Sequence, residues 1–223
     1  MTRVAVLGGH GKTGRAVCTA LTERSAQAVP LGRADQADLP TALAGCAAAY
    51  LIAPNLHPDE PAYVTDALAA LTAAGVGRVV YHSVASPFLP DLPHHLGKAV
   101  SEDLVRRSGL TWTILQPGVY LQNLDLSGPV QVPYDVDAPF GFLDLADLGA
   151  AAATVLLEDG HDGATYELAS RRSTVRLLAE EAGVTAERGP DPGAHPWLSA
   201  MFGYYDRHGL PAGTLTLGAL LGR

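Results

Sequence analysis

A glycine-rich segment near the start of the chain has the spacing with the clearest chemistry. Gly8, Gly11 and Gly14 recur at every third residue, between an apolar run at residues 3–7 and a helical pattern at residues 12–24. In such a turn the first glycine allows a tight bend, the second lets a pyrophosphate approach the backbone, and the third lets the helix pack on the strand. The unpaired N–H groups of the helix then face the phosphates. The spacing therefore predicts a dinucleotide site, and a glycine-rich turn without a ligand is the alternative.

The same segment contains Gly11-Lys12-Thr13, which resembles the end of the phosphate loop of nucleotide hydrolases. That loop requires a glycine five residues before Gly11, where this chain has Val6. The segment is also too short to wrap a triphosphate. Nucleotide hydrolysis is therefore not expected.

The end of the second predicted strand, residues 28–31, indicates which dinucleotide is bound. An acidic residue there binds the ribose 2′-hydroxyl of NAD, whereas a basic residue suits the 2′-phosphate of NADP. The chain has Arg33 at this point, with Asp35 two residues on. Lys12 and Arg15 add positive charge nearby. These residue types favour NADP, and the alternative is NAD with Arg33 as a solvated surface residue.

Short apolar runs alternate with helix-length segments through residue 168. Helices are predicted where apolar residues fall at helical spacing and a glycine follows, as at Gly75 and Gly109. Alternating strands and helices form parallel βαβ units with helices on both faces of a sheet. We therefore expect an α/β fold of the Rossmann type, with a doubly wound parallel sheet. The predicted strands are residues 3–7, 28–31, 47–52, 78–83, 111–115 and 165–168, and the predicted helices are residues 12–24, 39–44, 60–74, 96–107, 144–157, 173–181 and 195–208.

Residues 32–46 leave little room between the second and third predicted strands. A dinucleotide fold normally places a helix and a further strand there, but this interval has space for one short helix and little else. The strand concerned lies at the edge of the sheet, so the core does not depend on it. We expect this third edge strand to be missing or vestigial.

The second half of the chain is less regular. We interpret residues 1–223 as a single domain, in which residues 119–143 and 170–223 form a smaller substrate-binding and lid region. Residues 90–95 and 188–196 are predicted loops. The last predicted helix contains an aromatic stripe that either covers a flat substrate as a lid or packs into a core. The stripe consists of Trp197, Met201, Tyr204 and Tyr205.

Composition limits the class of protein. With 223 residues, 48% of them apolar and 17% charged, the chain is long enough for one sizeable core and is not disordered. A formal net charge of -8 disfavours sequence-independent nucleic-acid binding. No apolar stretch has the length of a membrane span, and the first apolar run is too short for a signal peptide. Cys18 and Cys46 show no disulfide or zinc spacing. We expect no metal, nucleic-acid or membrane partner, a cytoplasmic location, and a monomer or a small oligomer such as a homodimer.

Four further patterns follow one another along the chain. They are residues 6–15 (VLGGHGKTGR), 77–83 (GRVVYHS), 98–110 (KAVSEDLVRRSGL) and 113–120 (TILQPGVY). In this order they resemble the NmrA-like family of atypical short-chain dehydrogenases/reductases, and Asn123 and residues 142–144 fit as well. The resemblance covers nearly the whole chain and is diffuse after residue 170. It implies NAD(P) binding, and it implies that the chain normally continues beyond residues 220–223.

The resemblance implies candidate site residues and also shows one departure. Active short-chain dehydrogenases carry Tyr-x-x-x-Lys, in which the tyrosine donates a proton. Lys98 matches the lysine and Ser83 matches the usual serine, but His94 stands where the tyrosine is expected. His94 either replaces the tyrosine as the acid, since histidine titrates close to neutral pH, or is an exposed loop residue. Lys98 either reaches the cofactor ribose or is a surface lysine paired with Glu102.

The family includes quinone reductases, other reductases of small planar substrates, and redox-sensing regulators without turnover. The first expected function is therefore an NADPH-dependent reductase of a small planar or aromatic, quinone-like or conjugated acceptor. The second is a non-catalytic NADP sensor that acts through a protein partner. A scaffold with a decayed nucleotide site is disfavoured by the intact glycine loop. The candidate catalytic residues are Lys98, Ser83 and His94, and the candidate cofactor-binding residues are Gly8, Gly9, His10, Gly11, Lys12, Thr13, Gly14, Arg33, Pro54, Ser83, Lys98, Pro117, Gly118 and Tyr120.

Overall fold

Strands and helices alternate in the computed structural model, which describes all 223 residues. The strands are β1 (Arg3–Leu7), β2 (Gln27–Leu31), β3 (Ala48–Leu51), β4 (Arg78–His82), β5 (Thr111–Pro117), β6 (Val119–Tyr120), β7 (Val130–Val132), β8 (Phe140–Leu143), β9 (Ala164–Leu168), β10 (Arg171–Ser173) and β11 (Ala186–Arg188). The α-helices are α1 (Lys12–Glu23), α2 (Leu39–Ala42), α3 (Glu60–Ala73), α4 (Pro93–Arg106), α5 (Leu145–Leu157), α6 (Val175–Glu181), α7 (Pro196–His208) and α8 (Leu215–Leu221). Six strands form one parallel sheet in the order β2-β1-β3-β4-β5-β9, which confirms the predicted Rossmann-type fold.

The central sheet is covered on both faces, as a parallel sheet requires. Successive residues of β1 point to opposite faces. Val4 and Val6 pack with α1 and α5, whereas Ala5 and Leu7 pack with α2, α3 and α4. Because all six strands are parallel, their carboxyl ends lie at one edge of the sheet. The loops that follow these strands therefore meet at that edge.

The alanine-rich helix α5 packs against the sheet and against α1. Gly149 lets the two helices approach closely, because a Cβ atom there would stand 2.7 Å from the carbonyl oxygen of Ala16. This contact sets the distance between α1 and α5. No helix of the structure is both long enough and apolar enough to cross a membrane.

Residues 32–46 contain no strand. A 3₁₀ helix, Arg33–Asp38, follows β2 directly, and α2 follows that helix. β2 is therefore the edge of the sheet, with β1 as its neighbour, and the predicted loss of the third edge strand is confirmed. The core tolerates the loss because Leu39 and Leu43 of this segment are still buried against the sheet.

The residues after β5 build a further core that sequence periodicity does not reveal. β6, β8 and β10 form a three-stranded sheet, and β7 pairs with β11. Strands of two to four residues are too short to show a period. Tyr134, Phe140 and Tyr205 lie in this core with ring centroids 5.3 to 5.7 Å apart. Within the aromatic stripe of α7, Tyr205 is buried and Met201 and Tyr204 pack against the same core, as the core interpretation of the stripe predicts.

Two helices, α4 and α6, begin two or three residues away from their predicted starts. α4 starts at Pro93, so His94 and His95 lie in its first turn, and the predicted loop at residues 90–95 is wrong in this part. Proline suits this position because its fixed φ matches the helix and its missing N–H would have no partner there. α6 starts at Val175 rather than at residue 173, because the residues before it pair as β10.

Candidate active site

Three glycines at the turn from β1 into the first turn of α1 are needed by the backbone itself. Gly8 has a φ of +79° and donates its N–H to the carbonyl oxygen of Leu31 at 3.0 Å. A Cβ at Gly9 would stand 2.6 Å from the Cα of Pro30. A Cβ at Gly14 would collide with the carbonyl oxygen of Gly8. A larger residue at any of these positions would disturb the backbone of the turn.

Gly11 differs from these glycines because it faces open space. A Cβ there would contact one atom within 4 Å, the carbonyl oxygen of Gly8 at 3.4 Å. Gly11 is the N-cap of α1; no side chain caps this helix, and its first turn contains no acidic residue. The N–H groups of that turn are thus left for an anion, which the positive end of the helix dipole also favours. The loop fits the pyrophosphate of a dinucleotide.

Two charged side chains follow the end of β2, and they differ in exposure and in hydrogen bonding. Arg33 is exposed at the start of the 3₁₀ helix. Asp35 turns back, and its Oδ2 accepts the N–H of Gly32 at 2.7 Å. The ring of His10 lies against Gly32, where a Cβ would stand 2.7 Å from Cδ2 of His10. Arg33 is therefore the exposed charge at the position that distinguishes NADP from NAD.

Lys12 points to the other side of the glycine loop. Its Nζ donates to Oδ1 of Asn123 at 2.5 Å and lies 5.7 Å from the centre of the Tyr120 ring. Arg15 donates through Nη1 to the carbonyl oxygen of His10 at 2.6 Å. Lys12 therefore links the loop to the segment after β6, and its charge serves that side of the cleft rather than the end of β2.

Lys98 is buried in an ion pair. Its Nζ lies 2.7 Å from Oε1 of Glu60 and donates to the carbonyl oxygen of His82 at 3.0 Å. Glu60 also accepts the hydroxyl of Tyr81 at 2.6 Å. The lysine and glutamate side chains are 7% and 2% exposed, so the alternative of a surface lysine paired with Glu102 is wrong. The reason is that α4 turns Lys98 inward, toward the start of α3.

Ser83 is also buried, and its hydroxyl bonds to a glutamate. Oγ of Ser83 donates to Oε1 of Glu102 at 2.5 Å, and Nε2 of Gln116 donates to the same oxygen at 2.7 Å. Arg106 contacts the other oxygen of Glu102 at 2.9 Å. Both oxygens of the buried Glu102 carboxylate therefore have partners, which offset the cost of burying its charge. These bonds fix the carboxyl ends of β4 and β5 relative to α4.

His94 lies at a small cavity of about 140 Å³ between the starts of α3, α4 and α7. His57, Glu60 and Trp197 also line this cavity. The His94 ring lies nearly parallel to that of Trp197, with centroids 6.5 Å apart. Burial lowers the pKa of His94 to about 4, with a further contribution from the charge of Lys98. At neutral pH His94 is therefore a neutral hydrogen-bonding group rather than an imidazolium acid.

A buried histidine that the sequence did not single out lies near the centre of the site. His82, at the end of β4, has its Nδ1 2.7 Å from the Tyr50 hydroxyl and its Nε2 2.9 Å from the Tyr120 hydroxyl. Burial, together with a smaller effect of the charge of Lys98, lowers the pKa of His82 to about 3. A signal existed in the sequence, since His82 is a polar residue at the end of an apolar strand. Its partners come from distant segments and have no common spacing.

The remaining candidates also lie at the carboxyl ends of the strands. Pro54 is exposed in the loop after β3, and Pro117 ends β5. Gly118 is buried, and a Cβ there would collide with the carbonyl oxygen of Gly141, so packing against β8 requires this glycine. Tyr120 is partly exposed in β6. The structure thus brings the glycine loop, Pro54, Pro117 and Tyr120 to one edge of the sheet, while the cavity beside α7 is at the start of α4.

A second recess of the surface lies at the opposite edge of the sheet. It measures about 410 Å³ and is lined by the starts of β3, β4 and β5, including Arg78. Arg78 donates there to the carbonyl oxygen of Glu158 at 2.9 Å and to Asp159 at 3.3 Å. Open parallel sheets bind ligands at the carboxyl ends of their strands, where the glycine loop is. We therefore place the candidate site at the carboxyl edge.

Comparison with known proteins shows which family the chain resembles. A family model described as NAD(P)H-binding matches residues 25–159, a range that begins after the glycine loop. NAD(P)H azoreductase from Xenophilus azovorans is 30% identical over 137 residues, which cover 57% of this chain and 47% of that protein. Quinone oxidoreductase 2 from Escherichia coli (strain K12) is 30% identical over 167 residues, which cover 70% of this chain and 58% of that protein.

A solved structure extends the comparison over the whole chain. The crystal structure of an NADPH-dependent quinone oxidoreductase from Escherichia coli, complexed with NADPH, matches with a TM-score of 0.79 and 23% identity. The match covers 99% of this chain and 95% of that one. At this identity the likeness establishes the fold alone. The chain spans about half to three fifths of the length of the curated relatives it matches.

Proposed function

The chain belongs to the NAD(P)H-binding family, and from this premise we propose that it is an NADPH-dependent oxidoreductase that transfers hydride to a small quinone-like or otherwise conjugated acceptor. The observation that carries the proposal is the loop between β1 and α1. Gly11 faces open space there, at the uncapped start of a helix, so the loop has room for a pyrophosphate. The azoreductase and the quinone oxidoreductase among the relatives support the reaction class.

Within this proposal the glycine loop binds the pyrophosphate and Arg33 binds the 2′-phosphate of NADP. The Arg33 guanidinium is exposed and suits a phosphate through charge-assisted hydrogen bonds. Asp35, which would bind the ribose hydroxyl of NAD, already accepts the N–H of Gly32. NADP is therefore favoured over NAD. The residues assigned to the nicotinamide end are Pro54, Pro117, Gly118 and Tyr120.

Ser83 and Lys98 act in this proposal as positioning residues behind the cleft. Ser83 bonds to the buried Glu102, and Lys98 bonds to the buried Glu60 and to the carbonyl oxygen of His82. These bonds connect the end of β4 with α4 and α3. His94 is assigned to the substrate side, where it contributes a neutral polar group beside the cavity.

For the reduction of a quinone, the main contribution of the protein is to place the quinone correctly against the nicotinamide. Bound NADPH supplies the hydride, and the resulting hydroquinone anion is stabilised by its own ring. Water can protonate that anion, so the missing tyrosine of Tyr-x-x-x-Lys does not prevent the reaction. The contribution of the chain is to hold the acceptor at the carboxyl edge of the sheet in the correct orientation.

Residues 119–143 and 170–223 are assigned to the substrate side of a single domain. The core around Phe140 and Tyr205 supports this assignment, because it joins both segments. The cavity beside Trp197 lies where α7 meets the starts of α3 and α4. Its aromatic and histidine lining suits a small planar group.

A homodimer is proposed on the outer face of α4. Leu96 and Val100 lie one turn apart on this face and are 39% and 52% exposed, and Phe88, just before the helix, is 69% exposed. Contact with a second copy would remove this apolar surface from water. Light scattering should give twice the mass of the chain, and a monomer at all concentrations would contradict the proposal.

A cytoplasmic location is proposed with this activity. Cys18 and Cys46 are free thiols, and free thiols persist in reducing compartments. Fractionation of cells that produce the protein should place it with cytoplasmic markers, and recovery outside the cytoplasm would contradict the proposal.

The activity is tested by following NADPH oxidation through the nicotinamide absorbance, with and without a panel of simple quinones and enones. Addition of a quinone should accelerate oxidation by the native protein. The Gly11→Val variant provides the control, since it should show no quinone-dependent rate. Tight NADPH binding without turnover on the whole panel would contradict the reductase.

One observation favours a second candidate function, a non-catalytic NADP sensor that acts through a protein partner. Lys98 and Ser83 match the catalytic residues of active dehydrogenases, yet both bond to buried glutamates. A site whose polar groups are already paired can bind a nucleotide without performing chemistry. The turnover experiment separates the two functions, because a sensor would bind NADPH and show no quinone-dependent oxidation.

A further inference from the structure

A histidine between two tyrosines joins three strands at the carboxyl edge of the central sheet. Tyr50 lies in β3, His82 in β4 and Tyr120 in β6. The Tyr50 hydroxyl is 2.7 Å from Nδ1 of His82, and the Tyr120 hydroxyl is 2.9 Å from Nε2. Tyr50 is fully buried and His82 nearly so, whereas Tyr120 is partly exposed.

The burial of Tyr50 decides the direction of both hydrogen bonds. A neutral imidazole has one N–H donor and one acceptor nitrogen. If Nδ1 carried the hydrogen, it would donate to Tyr50, and the hydroxyl hydrogen of Tyr50 would be buried without an acceptor, which is costly. The Tyr50 hydroxyl therefore donates to Nδ1. Nε2 then carries the hydrogen and donates it to the oxygen of Tyr120.

The hydroxyl hydrogen of Tyr120 must consequently point away from His82. The Thr13 hydroxyl, in the first turn of α1, hydrogen-bonds to the Tyr120 oxygen and lowers the pKa that burial raises. The side of this oxygen away from His82 therefore faces the first turn of α1. The Nζ of Lys12 lies 5.7 Å from the centre of the same ring. The hydrogen is therefore directed into the cleft beside the glycine loop.

We propose that Tyr50 and His82 are positioning residues that direct the Tyr120 hydroxyl into the cleft, as a hydrogen-bond donor to a carbonyl oxygen of the acceptor. This inference rests on the proposed function. It narrows the substrate class to conjugated carbonyl compounds, such as quinones and enones, in which the carbonyl oxygen gains charge on reduction.

The Tyr120 hydroxyl is a suitable hydrogen-bond donor for the negative charge that develops on the carbonyl oxygen of the acceptor. Bound NADPH would supply hydride from its dihydronicotinamide C–H bond to one oxygen of a quinone or to the β-carbon of an enone. A π-electron pair would then shift to the other quinone oxygen or to the enone oxygen. Tyr120 donates a hydrogen bond to that oxygen and keeps its proton, because burial raises its pKa. The N–H of His82 polarises the Tyr120 hydroxyl further. Water then supplies the proton to the reduced oxygen.

The positioning role is tested on the protein without any ligand. Long-range proton–nitrogen correlation spectra distinguish protonated from unprotonated imidazole nitrogens, and the signals of His82 are assigned by their loss in His82→Gln. We expect Nδ1 to be unprotonated and Nε2 protonated, in the native protein and in Tyr120→Phe alike. Tyr50→Phe removes the donor to Nδ1 and should give a mixture of both forms. A native protein with hydrogen on Nδ1 would overturn the positioning role.

The donor role is tested by kinetics with a quinone. Tyr120→Phe keeps the ring and removes the hydroxyl, so kcat/KM should fall about tenfold to a hundredfold. The ring of Tyr120 stays at the nicotinamide end and only the hydroxyl, assigned to the acceptor, is removed, so the Kd of NADPH should change by less than about twofold. His82→Gln can still place an N–H toward Tyr120 and should retain most of the activity. His82→Leu has no such donor and should lose about three- to tenfold.

Each alternative outcome has a defined meaning. Weaker NADPH binding with unchanged kcat in Tyr120→Phe would overturn the role toward the acceptor and assign the hydroxyl to the cofactor. Equal activities of His82→Gln and His82→Leu, with both variants folded by thermal unfolding, would overturn the role of His82. A native protein that reduces no quinone would contradict the proposed function and the donor role, whereas the protonation of His82 still decides the positioning role.

Discussion

At the scale of single residues, the glycines of one loop serve two different purposes. Gly14 is required by the backbone, because a Cβ there would collide with the carbonyl oxygen of Gly8. Gly11 has room for a side chain as far as the protein itself is concerned. Substitutions within the same loop can therefore separate an effect on folding from an effect on nucleotide binding.

Gly11→Val should prevent nucleotide binding and preserve the fold. Its branched side chain would occupy the space assigned to the pyrophosphate, while its Cβ would meet nothing closer than the Gly8 oxygen at 3.4 Å. Titration should show NADPH affinity lower by about tenfold or more, with little change in the unfolding temperature. Gly14→Val is the matched control, and its backbone collision should also cost about 1–3 kcal/mol of stability. Unchanged NADPH affinity in Gly11→Val would rule out the assignment of this loop.

Arg33→Ala should remove the preference for NADPH over NADH. A charge-assisted contact with the 2′-phosphate contributes roughly 1.5–3 kcal/mol, or about tenfold to a hundredfold in affinity. NADH lacks this phosphate, so its affinity should barely change. Lys12→Ala serves as the control, because Lys12 bonds to Asn123 and should leave the ratio of the two affinities unaltered. If the native protein bound both nucleotides equally, the assignment of NADP would be wrong and the fold would be unaffected.

At the scale of secondary-structure elements, the site depends on how α1 is held against α5. The start of α1 is the end of the glycine loop that we propose binds the pyrophosphate, and Gly149 sets the distance between the two helices. A change in this contact is transmitted to the loop, because α1 is a continuous helix from Lys12 onward.

Gly149→Ala should destabilise the protein and weaken NADPH binding together. The added Cβ would stand 2.7 Å from the carbonyl oxygen of Ala16, and such overpacking costs about 1–3 kcal/mol. Gly203→Ala in α7 is the matched control, since a Cβ there meets nothing within 4 Å. The control should stabilise the protein by about 0.5–1 kcal/mol, as alanine suits a helix better than glycine does. Urea unfolding measures the free energy of unfolding of both variants. Equal values for Gly149→Ala and Gly203→Ala would contradict the prediction, because they would show that α1 and α5 move apart without cost.

At the scale of the whole molecule, buried neutral histidines couple stability to pH. Burial lowers the pKa of His82 to about 3 and that of His94 to about 4, and it also lowers the pKa of His95. In the unfolded chain a histidine titrates at about 6.5. Below that pH the unfolded state binds more protons than the folded state, so acid favours unfolding. The stability that the neutral histidines contribute is fully present above the histidine pKa of the unfolded chain. It is lost as the pH falls toward the histidine pKa values of the folded protein.

The free energy of unfolding should therefore decrease as the pH is lowered from about 7 to about 5, a range that lies above the titration of most carboxylates. The slope per histidine is at most about 1.4 kcal/mol per pH unit. His82→Gln should reduce the slope, because it removes one buried histidine. Urea unfolding at several pH values provides the measurement, and a flat profile for the native protein would contradict the prediction.

The sequence by itself determined the features that depend on neighbouring residues. The parallel arrangement of the central sheet follows from alternating apolar runs and helices, and the glycine-rich turn from β1 into α1 follows from Gly8, Gly11 and Gly14. The missing edge strand follows from the length of residues 32–46. Backbone hydrogen bonding, turn geometry and apolar periodicity act over a few residues, so residue types at short spacing are sufficient to predict them.

The tertiary structure alone decided which polar groups meet. Lys98 matches a catalytic lysine by spacing, but the packing of α3 against α4 pairs it with Glu60. His82 has no distinctive neighbours in the chain, yet three strands place it between Tyr50 and Tyr120. Buried ion pairs and hydrogen bonds form only when distant segments pack together and exclude water. The partner of a buried polar group is therefore set by the arrangement of whole elements, which local spacing does not encode.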